Sequence, residues 1–165
     1  MNSLLQLSHQ SGQILLKNKL VLATAESCTG GGIASAITDI AGSSAWFDRA
    51  FVTYSNDAKT QMVGVKPQTL QAYGAVSEAV VTEMALGTLE HSQATTAISV
   101  SGIAGPGGAT ETKPVGTVCF AWADKSGWLH VETQYFTGDR ASVREQSVRY
   151  ALQVLNEHYL HDPIG

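Results

Sequence analysis

Val21-Leu-Ala-Thr-Ala-Glu-Ser-Cys-Thr-Gly-Gly-Gly32 decides the fold of this chain. Residues 21–25 are small and apolar and read as a buried strand, whereas residues 33–40 carry helical periodicity. Ser27 and Cys28, both capable of acting as nucleophiles, sit side by side where the strand hands over to the helix. Backbone amides and the positive end of a helix dipole point into a turn of this kind. Such a place can activate a hydroxyl or thiol, bind a phosphate or stabilise an oxyanion.

Working outward, strands and helices alternate. The spacing of Leu4, Leu5, Ile14, Leu15 and Leu16 predicts a first helix over residues 2–18, followed by strand 20–25 and helix 29–41. A second strand covers 46–54, with Phe51 and Tyr54 among its bulky residues. Ser55-Asn56-Asp57 is an N-cap cluster for a short helix, 58–63, carrying Lys59. Pro67 opens another short helix, 67–73, and Ser77-Glu78 starts a longer one reaching about 91. Residues 95–101 form a buried strand, and 102–116 a long loop with five glycines and two prolines. Strands 117–123 and 129–136 make a hairpin turning at 124–127. Asp139 caps a last helix to about 159, and 160–165 is a frayed tail. This pattern argues one domain over residues 1–165, a three-layer α/β/α sandwich with a mixed sheet.

Composition narrows the function classes. The chain has 165 residues, of which 44% are hydrophobic and 15% charged, against about 25% charged in typical soluble domains. The formal net charge of −4, with no stripe of Lys and Arg, argues against a nucleic-acid surface. No apolar run approaches the roughly 20 residues of a membrane span, and the N-terminus lacks the basic and apolar regions of a signal peptide. Cys28 and Cys119 are too few for a disulfide framework or a structural zinc site. A reduced, cytoplasmic location is expected, and the low charge suggests a homo-oligomer, a dimer in the simplest case.

Ser27 needs a base to act as a nucleophile, and its plainer role, like that of Thr29, is to cap the following helix. Three consecutive glycines are more than a cap requires, and they let a ligand approach the backbone. Cys28 is the rival nucleophile; the plainer reading is a small buried hydrophobe. None of the five histidines lies in a glycine-rich loop, so no Ser-His-Asp arrangement suggests itself. Lys59, in Tyr54-Ser-Asn-Asp-Ala-Lys59, lies just past the carboxyl end of the second strand. Sites in open α/β sheets form at those ends, so parallel neighbouring strands would bring Ser27 and Lys59 together. A partly buried lysine can lose its proton and serve as a base; a solvated surface lysine is the alternative. Ser101-Gly-Ile-Ala-Gly-Pro-Gly-Gly108 also follows a strand and matches no dinucleotide or NTPase pattern. Its amides could form an anion nest or an oxyanion hole, or it could be a plain crossover loop. In Thr137-Gly-Asp-Arg140 the arginine opens a helix, a poor electrostatic position unless it faces an anion or pairs with Asp139 or Glu145.

Thr24-Ala-Glu-Ser-Cys-Thr-Gly-Gly31, Thr53-Tyr-Ser-Asn56 with Lys59, Gly74-Ala-Val-Ser77, Ser99-Val-Ser-Gly-Ile-Ala-Gly-Pro106, Lys113-Pro-Val-Gly-Thr117 and Gly138-Asp-Arg140 together resemble the CinA C-terminal domain family. The resemblance covers essentially the whole chain, in its short, single-domain form. It implies hydrolysis of the carboxamide of nicotinamide mononucleotide to nicotinic acid mononucleotide and ammonia, in pyridine nucleotide salvage, with no metal or cofactor. It implies Ser27 as nucleophile, Lys59 as base and Tyr54 as a proton relay or an orienting group for the lysine. The oxyanion donors would be amides near Ser27 to Gly31 or in the loop holding Gly102 and Gly105. Arg140 would meet the 5′-phosphate, with Thr29, Gly30, Gly31, Gly102 and Gly105 as further substrate contacts. Gly107-Gly-Ala-Thr-Glu-Thr112 is the kind of segment that varies, so it bears on affinity rather than chemistry. The alternatives are a non-catalytic nucleotide-binding or interaction module, a hydrolase built on Cys28, and a phosphatase, for which no carboxylate cluster is seen.

Overall fold

The computed structural model describes residues 3–161. In chain order the elements are α1 (Leu4–Lys17), β1 (Leu22–Glu26), α2 (Gly32–Thr38), a 3-10 turn (Ser43–Ala45), β2 (Phe47–Val52), α3 (Asn56–Val63), α4 (Pro67–Tyr73), α5 (Glu78–Glu90), β3 (Thr96–Gly102), β4 (Thr117–Asp124), β5 (Leu129–Tyr135) and α6 (Arg140–His161). One mixed sheet has the order β2-β1-β3-β4-β5, with β1 parallel to both β2 and β3 and the other pairs antiparallel. Helices α1, α2 and α6 pack together on one face, α3, α4 and α5 on the other. This is the three-layer α/β/α sandwich that the alternation predicts.

Side-chain size differs between the two faces. Toward α1, α2 and α6 the strands direct Leu22, Ile98, Val100, Val118, Phe120 and Trp122. Phe120 and Trp122 stack with centroids 5.5 Å apart, and the buried Trp122 indole donates to the Ala151 carbonyl. Toward α5 the same strands direct Ala25, Ala97, Cys119, Ala121 and Ala123. Small residues let α5 lie close to the sheet, close enough for Ser99 Oγ on β3 to donate to the Val81 carbonyl at 2.6 Å. α5 is equally tight against α3: a Cβ at Gly87 would fall 1.8 Å from the Val63 carbonyl oxygen.

The element boundaries differ from expectation at the central turn. α2 starts at Gly32 rather than 29, because Gly30 and Gly31 have φ of +59° and +94° and cannot continue a right-handed helix. It also stops at Thr38 rather than 41. The cap of α2 is neither Ser27 nor Thr29. Glu26, the last residue of β1, accepts from the Ile33 amide (2.8 Å), the Ala34 amide (3.0 Å), Thr29 Oγ1 (2.7 Å) and Thr24 Oγ1 (3.0 Å). β2 ends at Val52, two residues short of the expected end, although the Thr53 amide still donates to the Glu26 carbonyl. Asp139 caps α6 as expected, accepting from the Ser142 amide. α6 runs on through residues 160 and 161, where a frayed tail is expected; the rest of that tail, 162–165, and residue 2 of the first predicted helix lie outside the described residues. Among the described residues no helix is long and apolar enough to cross a membrane.

Two substitutions test this architecture. Glu26→Gln keeps the side-chain shape but sets an amide N–H against one of the donors that face it. It should lower stability by about 2–4 kcal/mol, read as a lower urea midpoint at unchanged m-value. Gly87→Ala should separate α5 from α3 and cost about 1–3 kcal/mol or more by the same measurement.

Candidate active site

The strand order reverses at the centre of the sheet. From β1 the chain crosses to β2 on one side, and β3 lies on the other, leaving a crevice beyond their carboxyl ends. Ser27 stands in that crevice. Its amide donates to the Val100 carbonyl of β3 (3.0 Å), and the Glu26 carboxylate fixes the turn from below. α6 fixes it from the far side: Arg144 Nε donates to the Cys28 carbonyl (3.0 Å) and its Nη2 to the Thr29 carbonyl (3.3 Å).

Lys59 comes to Ser27 from α3. The helix is started by Ser55, whose hydroxyl accepts from the Ala58 amide, so Lys59 falls in its first turn facing inward. The residue is 1% exposed. Its Nζ lies 3.0 Å from Ser27 Oγ, 2.9 Å from the Thr53 carbonyl and 3.4 Å from the Tyr54 carbonyl. No carboxylate pairs with it among the described residues. Burial holds its amine below the ordinary lysine range, countered only in part by the field of Cys28.

Cys28 responds to the same surroundings in the opposite sense. Burial pushes its thiol up to about 12, with the Glu26 charge adding to the rise. At neutral pH it is a protonated small hydrophobe beside Ser27.

Ser27, Lys59, Tyr54, Gly102 and Arg140 line one cavity of about 260 Å³. An adjoining hollow of about 530 Å³ is lined by Gly105, Pro106, Val115, Gly138 and Asp139 and shares Ala104 and Arg140 with the first. Arg140 makes neither of the ion pairs weighed for it. Nη1 donates to the Gly105 carbonyl (2.9 Å) and Nη2 to the Tyr54 hydroxyl (3.3 Å). The Tyr54 hydroxyl therefore engages Arg140, and the residue touches Lys59 through its backbone carbonyl. Thr29, Gly30 and Gly31 do not line the cavity. The Thr29 hydroxyl donates to Glu26, and the α2 amides that the strand-to-helix turn was expected to offer a ligand are bound to the same carboxylate.

Gly102 is placed by the β3–β4 ladder. The Ile103 amide donates to the Thr117 carbonyl and the Val100 carbonyl accepts from the Ser27 amide, so by the alternation of β3 the Gly102 amide faces away from β4, on the side of the Ser27 turn. Sequence reasoning passed over Glu26, Arg144, Asn56 and Ser101. Asn56 and Ser101 line the cavity, and both belong to motifs that were noted for their neighbours.

The family model of the CinA C-terminal domain matches residues 4–159. The nicotinamide-nucleotide amidohydrolase PncC of Escherichia coli K12 is 55% identical over 161 residues, 98% of each chain. Among solved structures, a competence damage-inducible protein A of Klebsiella pneumoniae superposes with a TM-score of 0.94 at 40% identity, covering 98% of this chain and 99% of that one. A competence/damage inducible protein of Agrobacterium tumefaciens superposes at 0.90 with 44% identity over 94% of both chains. With the family model matched over residues 4–159 and a relative 55% identical over nearly its full length, the chain belongs to the CinA C-terminal domain family.

Proposed function

We propose that the chain hydrolyses the carboxamide of nicotinamide mononucleotide to nicotinic acid mononucleotide and ammonia, in pyridine nucleotide salvage, with Ser27 as nucleophile and Lys59 as base. The observation that carries the reaction type is the buried amine of Lys59, unpaired with any carboxylate among the described residues and 3.0 Å from Ser27 Oγ. The substrate class rests on the name of the Escherichia coli relative.

A neutral amine has two N–H bonds and one lone pair. The Thr53 and Tyr54 carbonyls accept the two N–H bonds, which turns the lone pair toward Ser27. Lys59 takes the hydroxyl proton as Oγ attacks the carboxamide carbon. The oxyanion meets the Gly102 amide. Lys59, now an ammonium, gives its proton to the amide nitrogen; the C–N bond breaks and ammonia leaves. Water then attacks the nicotinoyl ester, Lys59 accepts its proton and returns it to Ser27 Oγ, and the acid is released. Arg140, oriented by Gly105 and Tyr54, keeps further guanidinium donors for the 5′-phosphate. The protonated Cys28 takes no part.

Ammonia release from nicotinamide mononucleotide, measured with EDTA present, tests the reading. Wild-type protein should turn over, and Ser27→Ala should lose about 10⁴-fold or more in kcat/KM. Full activity in that variant would overturn the assignment of the nucleophile. The pH profile tests the base. Protonated Lys59 cannot accept a proton, so kcat/KM should rise with pH through its ionisation. The midpoint should fall below the ordinary lysine value of 10.5, because burial favours the neutral amine. A profile without such a limb would remove Lys59 from the role.

A further inference from the structure

One buried polar side chain on the cavity wall has no part in the reaction above. Ser101 is 1% exposed, yet it lines the same cavity as Ser27 and Lys59. The alternation of β3 puts it on the α5 side of the sheet with Ala97 and Ser99. Ser99 bonds the Val81 carbonyl of α5. Ser101, one step nearer the carboxyl end, shares the cavity wall with the apolar Ala75 and Val76 instead. Its hydroxyl has no hydrogen-bond partner among the described residues, and it is not sealed off as the unpartnered Ser8 hydroxyl is. A hydroxyl buried in this way and open only to a cavity is satisfied when a ligand supplies the bond.

We propose that Ser101 Oγ accepts a hydrogen bond from the N–H of the substrate carboxamide, and that it thereby sets a preference for amides over esters. The proposal rests on the amidase reading. The Ser27 amide is bonded to the Val100 carbonyl, so Ser27 and Ser101 are held on adjacent chains at the same level of the sheet. With the carbonyl carbon at Ser27 Oγ and the carbonyl oxygen at the Gly102 amide, the amide nitrogen has Lys59 for its lone pair and needs an acceptor for its hydrogen. Ala75 and Val76 offer none, and the Cys28 thiol is a weak one. Asn56 also lines the cavity, but it is exposed at the start of α3; Ser101 is the buried neutral oxygen, next to Gly102 on β3. It touches the leaving group without exchanging a proton with it, which makes it a specificity residue rather than an acid or base.

The experiment compares kcat/KM for nicotinamide mononucleotide and for the methyl ester of nicotinic acid mononucleotide, whose methoxy group has no N–H to give. Ser101→Ala should lower the amide rate by about 10- to 100-fold and the ester rate by less than about 3-fold. Ser101→Thr, which retains the hydroxyl, should recover part of the amide rate. The amide-to-ester ratio does not depend on the fraction of folded protein, so a variant that folds poorly still reports. An equal fall on both substrates, or no fall on the amide, overturns the role of Ser101 and leaves the amidase reading standing. A wild-type protein that releases no ammonia overturns both.

Discussion

The Glu26 carboxylate is the interaction on which the rest of this structure depends. It is fully buried, and its two oxygens receive two backbone amides and two threonine hydroxyls. A carboxylate taken out of water costs several kcal/mol unless its lone pairs are filled, and here they are. The amides come from the first turn of α2, so the charge also lies at the positive end of that helix. One side chain thus ends β1, starts α2 and holds the turn between them. Ser27 is the next residue, and its position follows from that arrangement rather than from any contact of its own side chain. The turn is closed from outside by Arg144, whose guanidinium takes the Cys28 and Thr29 carbonyls and ties the site to α6.

The same constraint explains why the site draws on so many elements. The reversal of strand order leaves β1 and β3 as neighbours whose continuing chains part, and the parting opens the crevice. β1 delivers Ser27, the residues after β2 deliver two carbonyls, α3 delivers Lys59, β3 delivers Ser101 and Gly102, and α6 delivers Arg140. β1 is buried along its whole length and β3 along all but its last residue, and Lys59 is one of the two buried residues of α3. Arg140 and Tyr54 reach the cavity from its rim and hold each other. Ser27, Lys59 and Ser101 thus lie at the buried floor of the crevice with Gly102 beside them, and Arg140 and the exposed Tyr54 lie at its rim.

The pairing of Ser27 with Lys59 was legible because it needs only two inferences: that both follow parallel strands, and that the strands are adjacent. Period, caps and glycines carry that much in the residues themselves. The layered fold was legible for the same reason. What the sequence does not disclose is where the chain itself supplies the partner of a local group. The α2 amides looked open because a strand-terminal glutamate, read alone, is only a polar end; its spacing to Thr24 and Thr29 was the available signal. The Thr29 hydroxyl is held by Glu26 and the Gly30 amide by the Ser27 carbonyl, so neither is free for a ligand. The ion pairs weighed for Arg140 are not formed, and the partners it has, Gly105 and Tyr54, are distant in sequence. Arg144 lies 116 residues from the carbonyl it holds, which no local pattern can disclose.

One physical effect also decides between the two adjacent nucleophiles. Burial disfavours whichever form of a group is charged. For Cys28 that form is the thiolate, so the thiol is pushed up to about 12 and kept inert. For Lys59 it is the ammonium, so the amine is brought down toward the form that accepts a proton. A carboxylate beside Lys59 would undo this by restoring the charge, and it would also lower the cost of burying the lysine. That no such partner stands there among the described residues, while two backbone carbonyls do, is the arrangement expected of a base rather than of a structural ion pair. The same desolvation thus disfavours the thiolate of Cys28 and the ammonium of Lys59, whose Nζ lies within hydrogen-bond reach of the Ser27 hydroxyl.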